Sequence, residues 1–258
     1  MDTIRERYEK VLERISYAAQ SSGRDPDSVR LVVVTKLQPV EIVHEVITAG
    51  ARFLGENYAD EAVGKIISLQ MNRQKFPGFF KEEAGAQNHS KQQTGVQWHI
   101  IGHVQSRKAR LVCEYFDYLH SLDSLKLAQR LDNICAEFKR VLPVLLEFNV
   151  SGEQSKSGWP AWDEAHWTGL LTELNQIVES PHLRVAGLMT MPPFYENPED
   201  ARPFFKRLRK LQEFLARYIP HTDWQELSMG MSGDYEVAVQ EGATWVRIGQ
   251  AILGPRYG

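Results

Sequence analysis

Lys36 stands just past the apolar run Leu31-Val32-Val33-Val34 and three residues before Pro39. β-branched residues closed by a proline read as a buried strand. An ammonium at the end of such a strand is costly unless it is paired or used. Desolvation lowers a lysine's pKa and makes its amine nucleophilic near neutrality, which is what a Schiff-base lysine requires. A lysine that snorkels to water from a strand end is the plain structural alternative. Far along the chain, Ser228-Met229-Gly230-Met231-Ser232-Gly233-Asp234 leads into a short helical pattern with Ser232 as a candidate N-cap. Ile248-Gly249-Gln250-Ala251 offers a second backbone turn. N–H groups at a helix start attract anions, and glycines let the backbone come close. The two turns together suit a phosphate better than they suit plain caps. Arg247, like Lys36, follows apolar neighbours, which capping preferences do not explain.

Other chemistries fit less well. His99 and His103 lie on a strand and its following loop, about 13 Å apart if extended, too far to share a metal ion. One of them therefore reads as a core or supporting residue. No His-x-His marks the first strand, as a binuclear hydrolase barrel needs, and no G-x-S-x-G elbow appears. Cys113 and Cys135 have neither metal-ligand spacing nor the number for a disulfide framework, so a reducing cytoplasm is the expected compartment.

The elements that must position these residues alternate. Strand-like runs fall at 30–35, 51–55, 97–102, 117–121, 143–150, 183–190, 225–229 and 244–248. Helical patterns lie at 39–49, 57–70, 104–115, 124–138, 161–179, 199–218 and 234–241, with an amphipathic helix over 3–20 ahead of them. Strands alternating with helices predict a parallel sheet with right-handed crossovers. Eight units in a chain of 258 residues predict one closed (β/α)8 barrel, a single domain over 1–258. An open dinucleotide-binding sheet is disfavoured, because no G-x-G-x-x-G follows the first strand. In such a barrel the C-terminal strand ends build the site. Those ends here include Thr35-Lys36, Gly55-Glu56-Asn57, Gly102-His103, Asn149-Ser151, Met189-Thr190, Ser228–Ser232 and Arg247–Gly249. Residues 71–96 have no periodicity and read as a long flexible loop on the opposite face, irrelevant to chemistry.

Composition adds exclusions. With 43% hydrophobic and 24% charged residues the balance is that of an ordinary globular protein, and a net charge of −3 argues for no nucleic-acid or membrane partner. The N-terminus carries charges throughout, so no signal peptide is expected, and no segment is long enough to span a bilayer.

A strand-one lysine with a phosphate anchor on the seventh and eighth strands suggests pyridoxal 5′-phosphate. The blocks VVVTK (32–36), GENYADE (55–61), WHIIGHVQSRK (98–108), HSLDSLKLAQRL (120–131), EFNVSGEQSKSG (147–158), LRVAGLMTM (183–191) and LSMGMSGDYEVAVQEGATWVRIGQAILGPR (227–256), in that order, resemble the pyridoxal-phosphate homeostasis protein family, also called YggS or proline synthetase co-transcribed homologue. The resemblance covers nearly everything outside 71–96. It implies a single barrel like the N-terminal domain of alanine racemase, with the cofactor held as an aldimine on Lys36. By the same resemblance, phosphate contacts fall on Ser228, Ser232 and the backbone at Gly249 and Gln250. Asn57 lies near the cofactor, and Arg247 faces the pyridine nitrogen. His103 departs from the family, where proline is common.

An arginine cannot accept the ring nitrogen's proton, so carbanion stabilisation is weak. Alanine racemases also use a tyrosine from a second domain. This sequence continues only nine residues past Gly249, and Tyr257, near the terminus, reads as a frayed or surface residue. The expectation is therefore a cytoplasmic, monomeric cofactor carrier without catalytic residues. It would act in pyridoxal-phosphate homeostasis and amino-acid and keto-acid balance, with apo-enzymes as candidate recipients. An amino-acid racemase or related enzyme of low activity is the alternative, and a metal-dependent hydrolase a remote third.

Overall fold

The apolar runs of the sequence pair side by side in a computed structural model that describes residues 2–71 and 95–254. The strands are β1 (Arg30–Val34), β2 (Phe53–Glu56), β3 (Gln97–Ile100), β4 (Tyr118–Leu122), β5 (Leu142–Asn149), β6 (Trp159–Pro160), β7 (Leu183–Met189), β8 (Glu226–Ser228) and β9 (Trp245–Ile248). All pair in parallel. The order β4-β3-β2-β1-β9-β8-β7-β5 closes through a β4–β5 pairing, so eight strands make a barrel. The two-residue β6, which the sequence pattern does not signal, pairs with the last two residues of β5, Phe148 and Asn149. First and last barrel strands are neighbours, with Val33 opposite Ile248.

The helices are α1 (Ile4–Ser21), α2 (Val40–Thr48), α3 (Ala59–Met71), α4 (Ala109–Tyr115), α5 (Leu125–Glu137), α6 (Leu171–Val178), α7 (Arg202–Tyr218), α8 (Tyr235–Gln240) and α9 (Gln250–Leu253). α1 starts with a reciprocal Thr3–Glu6 capping box and packs on α8 and α9. The patterns over 104–115 and 161–179 each begin as a 3-10 turn before becoming α-helix. α9 escaped the sequence reading because four residues are too few for periodicity. Most of the expected loop, residues 72–94, lies outside the described residues, as does Tyr257.

Two cores result. Outward side chains such as Leu54, Ile100, Leu119, Leu146 and Val246 pack with the helices in one large apolar cluster. A small lumen cluster holds Val32, Ile101, Tyr118, Leu145, Ala186, Met189 and Trp245. The cysteines, distant in sequence, meet in the outer core with Sγ atoms 3.3 Å apart. No helix among the described residues is long and apolar enough to cross a membrane.

Candidate cofactor site at the barrel mouth

β1 ends at Val34, so Lys36 sits in a turn two residues beyond the strand, half-buried rather than fully enclosed. That turn is clamped on several sides. Thr35 N–H donates to the Gly55 carbonyl at 3.0 Å. Its hydroxyl donates to Glu56 Oε1 at 2.7 Å, and its carbonyl accepts from Lys65 Nζ at 2.8 Å. Lys65 also pairs with Glu56 at 2.9 Å and Glu61 at 2.6 Å, and Glu61 accepts the Leu37 N–H at 2.7 Å. Burial pushes the Glu56 carboxyl up from its ordinary range, and the Lys65 charge opposes that. Leu37 is held at φ 62°, a left-handed conformation that side-chain-bearing residues adopt at a cost. Glu56, Glu61 and Lys65 thus hold the chain on either side of Lys36. The Glu61–Lys65 spacing of four on α3 was the only signal for this in the sequence.

Lys36 lines a cavity of 260 Å³ together with Asn57, Ser232, Gly233, Arg247, Gly249 and Gln250, and with Val34, Ile101, Met191 and Tyr195 as its apolar wall. Asn57 is placed by Gly102: a Cβ there would lie 2.8 Å from the Asn57 Cα. A larger cavity of 460 Å³ adjoins it at Asn57, lined by Tyr58, His103, Gln105, Arg107 and Lys108.

Six of the seven site residues expected from sequence therefore face one cavity. Ser228 does not. It is fully buried below the mouth, bonded to Arg247 and His120. The family resemblance implied a phosphate contact for it; β8 extends through Ser228, and its hydroxyl meets His120 and Arg247 inside the barrel.

The two turns meet as an anion cradle. Ser232 Oγ accepts from Ala251 N–H at 3.3 Å, at the start of α9. The N–H groups of Ser232, Gly233, Gly249 and Gln250 have no acceptor among the described residues. A Cβ on Gly249 would lie 3.2 Å from the Val34 carbonyl, so this turn hugs β1. Gly230, at φ 94°, keeps its loop against α8, where a Cβ would come within 2.6 Å of Ala238.

Arg247 is buried, donating to Ser228 Oγ at 2.6 Å and to the Thr190 carbonyl at 2.9 Å. Burial brings its pKa down to about 10, while Asp234 and Glu147 pull it up, so it stays cationic at neutral pH. Glu147, buried on β5, has its carboxyl raised to about 7 by burial and then by Asp123. Among the remaining strand ends, Asn149 Oδ1 accepts from Ser151 and Gly152 N–H, a turn-capping role. His99 is in the core, whereas His103 is exposed and paired with Asp123 at 2.6 Å. No cluster of three or more His, Cys, Asp or Glu among the described residues is placed to hold a metal ion.

A lysine amine, a row of N–H groups with a hydroxyl, and a fixed guanidinium surround one small cavity. That donor set fits an aldehyde-bearing aromatic phosphate. Comparison with known proteins points the same way. The family model "Alanine racemase, N-terminal domain" matches residues 10–256. The pyridoxal phosphate homeostasis protein of Pseudomonas aeruginosa is 41% identical over 257 residues, 99% of this chain and 97% of that one. That of Vibrio alginolyticus is 37% identical over 256 residues, 99% of each.

The chain belongs to the pyridoxal phosphate homeostasis protein family.

A solved family member, PipY of Synechococcus elongatus with PLP bound, is 31% identical with a TM-score of 0.77, covering 98% of this chain and 100% of that one. Alanine racemase of Clostridium difficile shares the fold, at 12% identity and a TM-score of 0.62, with 96% of this chain matching 60% of that one.

Proposed function

We propose that this protein binds pyridoxal 5′-phosphate, with Lys36 as its covalent anchor, and serves cofactor homeostasis as a carrier rather than an enzyme. The observation that carries this reading is the convergence of Lys36, the Ser232–Gly233 and Gly249–Gln250 N–H groups, and Arg247 on one cavity. When bound, the cofactor supplies an aldehyde for the lysine and a pyridine ring that draws electrons. The chain's own residues do the rest. Ser232 and the four N–H groups hold the phosphate, Asn57 orients the ring edge, and the apolar wall keeps water from the ring faces. Arg247 donates toward the ring nitrogen and has no lone pair with which to take up a proton there. That weakens the electron sink and favours storage over turnover.

Phe194 is exposed at the rim, so the mouth is open for exchange with apo-enzymes. We place the protein in the cytoplasm as a monomer, a state that light scattering would check.

Purified protein incubated with the cofactor should turn yellow, and borohydride should fix the added mass on the peptide containing Lys36. Retention of that adduct in Lys36→Ala would refute the anchor. Enzyme-like α-proton exchange of L- or D-amino acids in deuterium oxide would replace the carrier reading with a racemase one.

A further inference from the structure

The lumen below Arg247 carries a chain of polar groups that no step so far uses. Arg247 Nη1 lies 2.6 Å from Ser228 Oγ, which lies 2.8 Å from His120 Nδ1. His120 Nε2 lies 2.8 Å from His99 Nδ1. All four side chains are buried. We propose that His120 and His99 are positioning residues: through Ser228 they form a one-way hydrogen-bond chain that fixes the Arg247 guanidinium at the floor of the cofactor cavity. The inference rests on the cofactor reading only for the identity of what Arg247 meets.

Donor and acceptor chemistry sets the polarity. Arginine only donates, so Ser228 Oγ accepts from it. The hydroxyl then has one proton, and His120 Nδ1 is the acceptor within reach. That makes His120 the neutral Nε2–H tautomer, donating to His99 Nδ1, and His99 in turn carries its proton on Nε2. The opposite polarity would make Ser228 accept twice and leave its hydroxyl proton buried without an acceptor, at a cost. His99 Nε2 has no hydrogen-bond partner among the described residues. It ends among aromatic rings, with Phe53 at 5.7 Å and Trp245 at 5.1 Å between centroids, an environment that suits an N–H better than a bare lone pair.

The surroundings keep both rings uncharged. The charged and titratable groups around them are Arg30, Tyr118 and Arg247. Burial, then Arg30, pushes His99 down to about 3. Burial, then His99 and the arginines, holds His120 well below its ordinary value. With Nη1 on Ser228 and Nη2 on the Thr190 carbonyl, the guanidinium has a fixed plane and presents its remaining donors to the cavity. A barrel lumen is usually filled by branched apolar residues, which would need no such pairing.

Nitrogen NMR on histidine-labelled protein tests the chain without cofactor. Two imidazoles, identified by their loss in His99→Phe and His120→Phe, should show bare Nδ1 and protonated Nε2 and should not titrate between about pH 5 and 8.5. An Nδ1–H tautomer, or titration near 6.5, for either ring overturns the proposal. A second arm compares His120→Gln, which keeps an acceptor for Ser228, with His120→Leu, which does not. The leucine variant should bind pyridoxal phosphate about tenfold more weakly and shift the bound cofactor's absorption maximum, and the glutamine variant should restore both. Equal losses in the two variants with an unchanged spectrum would leave only a packing role and overturn the proposal. If the wild type takes up no cofactor while the tautomers are as stated, the cofactor reading falls and the chain stands.

Discussion

The two faces of the barrel strands are built on different principles. On the outer face, Leu54, Ile100, Leu119, Leu146 and Leu188 share one apolar cluster with helix residues such as Phe205 and Leu131. On the inner face, a smaller apolar cluster that includes Tyr118 and Trp245 shares the lumen with His99, His120, Ser228 and Arg247, all buried and hydrogen-bonded in series. The outer face holds the fold by burial of apolar area. The inner face gives up some of that burial to hold one cation still under a cavity. Stability and function are thus separated by the thickness of a strand.

Phe205→Ala, on the outer face, should produce the largest effect, a loss of about 3–5 kcal/mol in denaturant unfolding. Cofactor affinity of the remaining folded protein should be unchanged. A parallel loss of affinity would mean the two faces are not independent. Arg247→Lys should do the reverse. A lysine cannot reach both Ser228 and the Thr190 carbonyl as a planar fork, so cofactor affinity should fall at least tenfold while stability drops by about 1–3 kcal/mol. Titration calorimetry and urea melts separate the two readouts.

The pH dependence of stability sharpens the contrast further. His99 and His120 have folded pKa values below the unfolded value of 6.5, so the unfolded chain binds more protons below that pH. Each ring should therefore cost about 1 kcal/mol of stability per pH unit as pH falls from 6.5. Glu147 works the other way, because its pKa is raised to about 7 from 4.5: its protonated form favours the fold, and that contribution fades as pH rises through this window. Replacing His99 with Phe should flatten the acid limb of the urea midpoint by about one proton; an unchanged limb would show that the ring is not neutral in the fold. The smallest effect is expected at the lysine turn. Leu37→Asn, better suited to φ 62°, should raise stability by about 0.5–1 kcal/mol in urea melts without altering cofactor binding.

Much of this was legible in the chain. Eight apolar runs separated by helical periods led to a closed parallel barrel, because each run is buried on both faces and so reads continuously apolar. Lys36, Ser232, Arg247, Gly249 and Gln250 could be found at strand ends because glycine, serine and isolated charges stand out beside β-branched neighbours. The rest depended on closure. His99 and His120 are ordinary strand residues until β3 and β4 pair, and Ser228 joins them only across the lumen from β8. The clamp of Glu56, Glu61 and Lys65 on Thr35 likewise links elements whose register no local pattern reveals. The Cys113–Cys135 approach is of the same kind, since it needs α4 laid on α5.

The pairing of β1 with β9 bears on the order in which the protein folds. Lys36 follows the first barrel strand and Gly249 the last, yet the cavity needs both. Local contacts form early in folding, and a contact of such high sequence separation forms late. The cofactor site comes into being at the moment the barrel closes, so uptake of the yellow ligand during refolding from urea would time that final step directly.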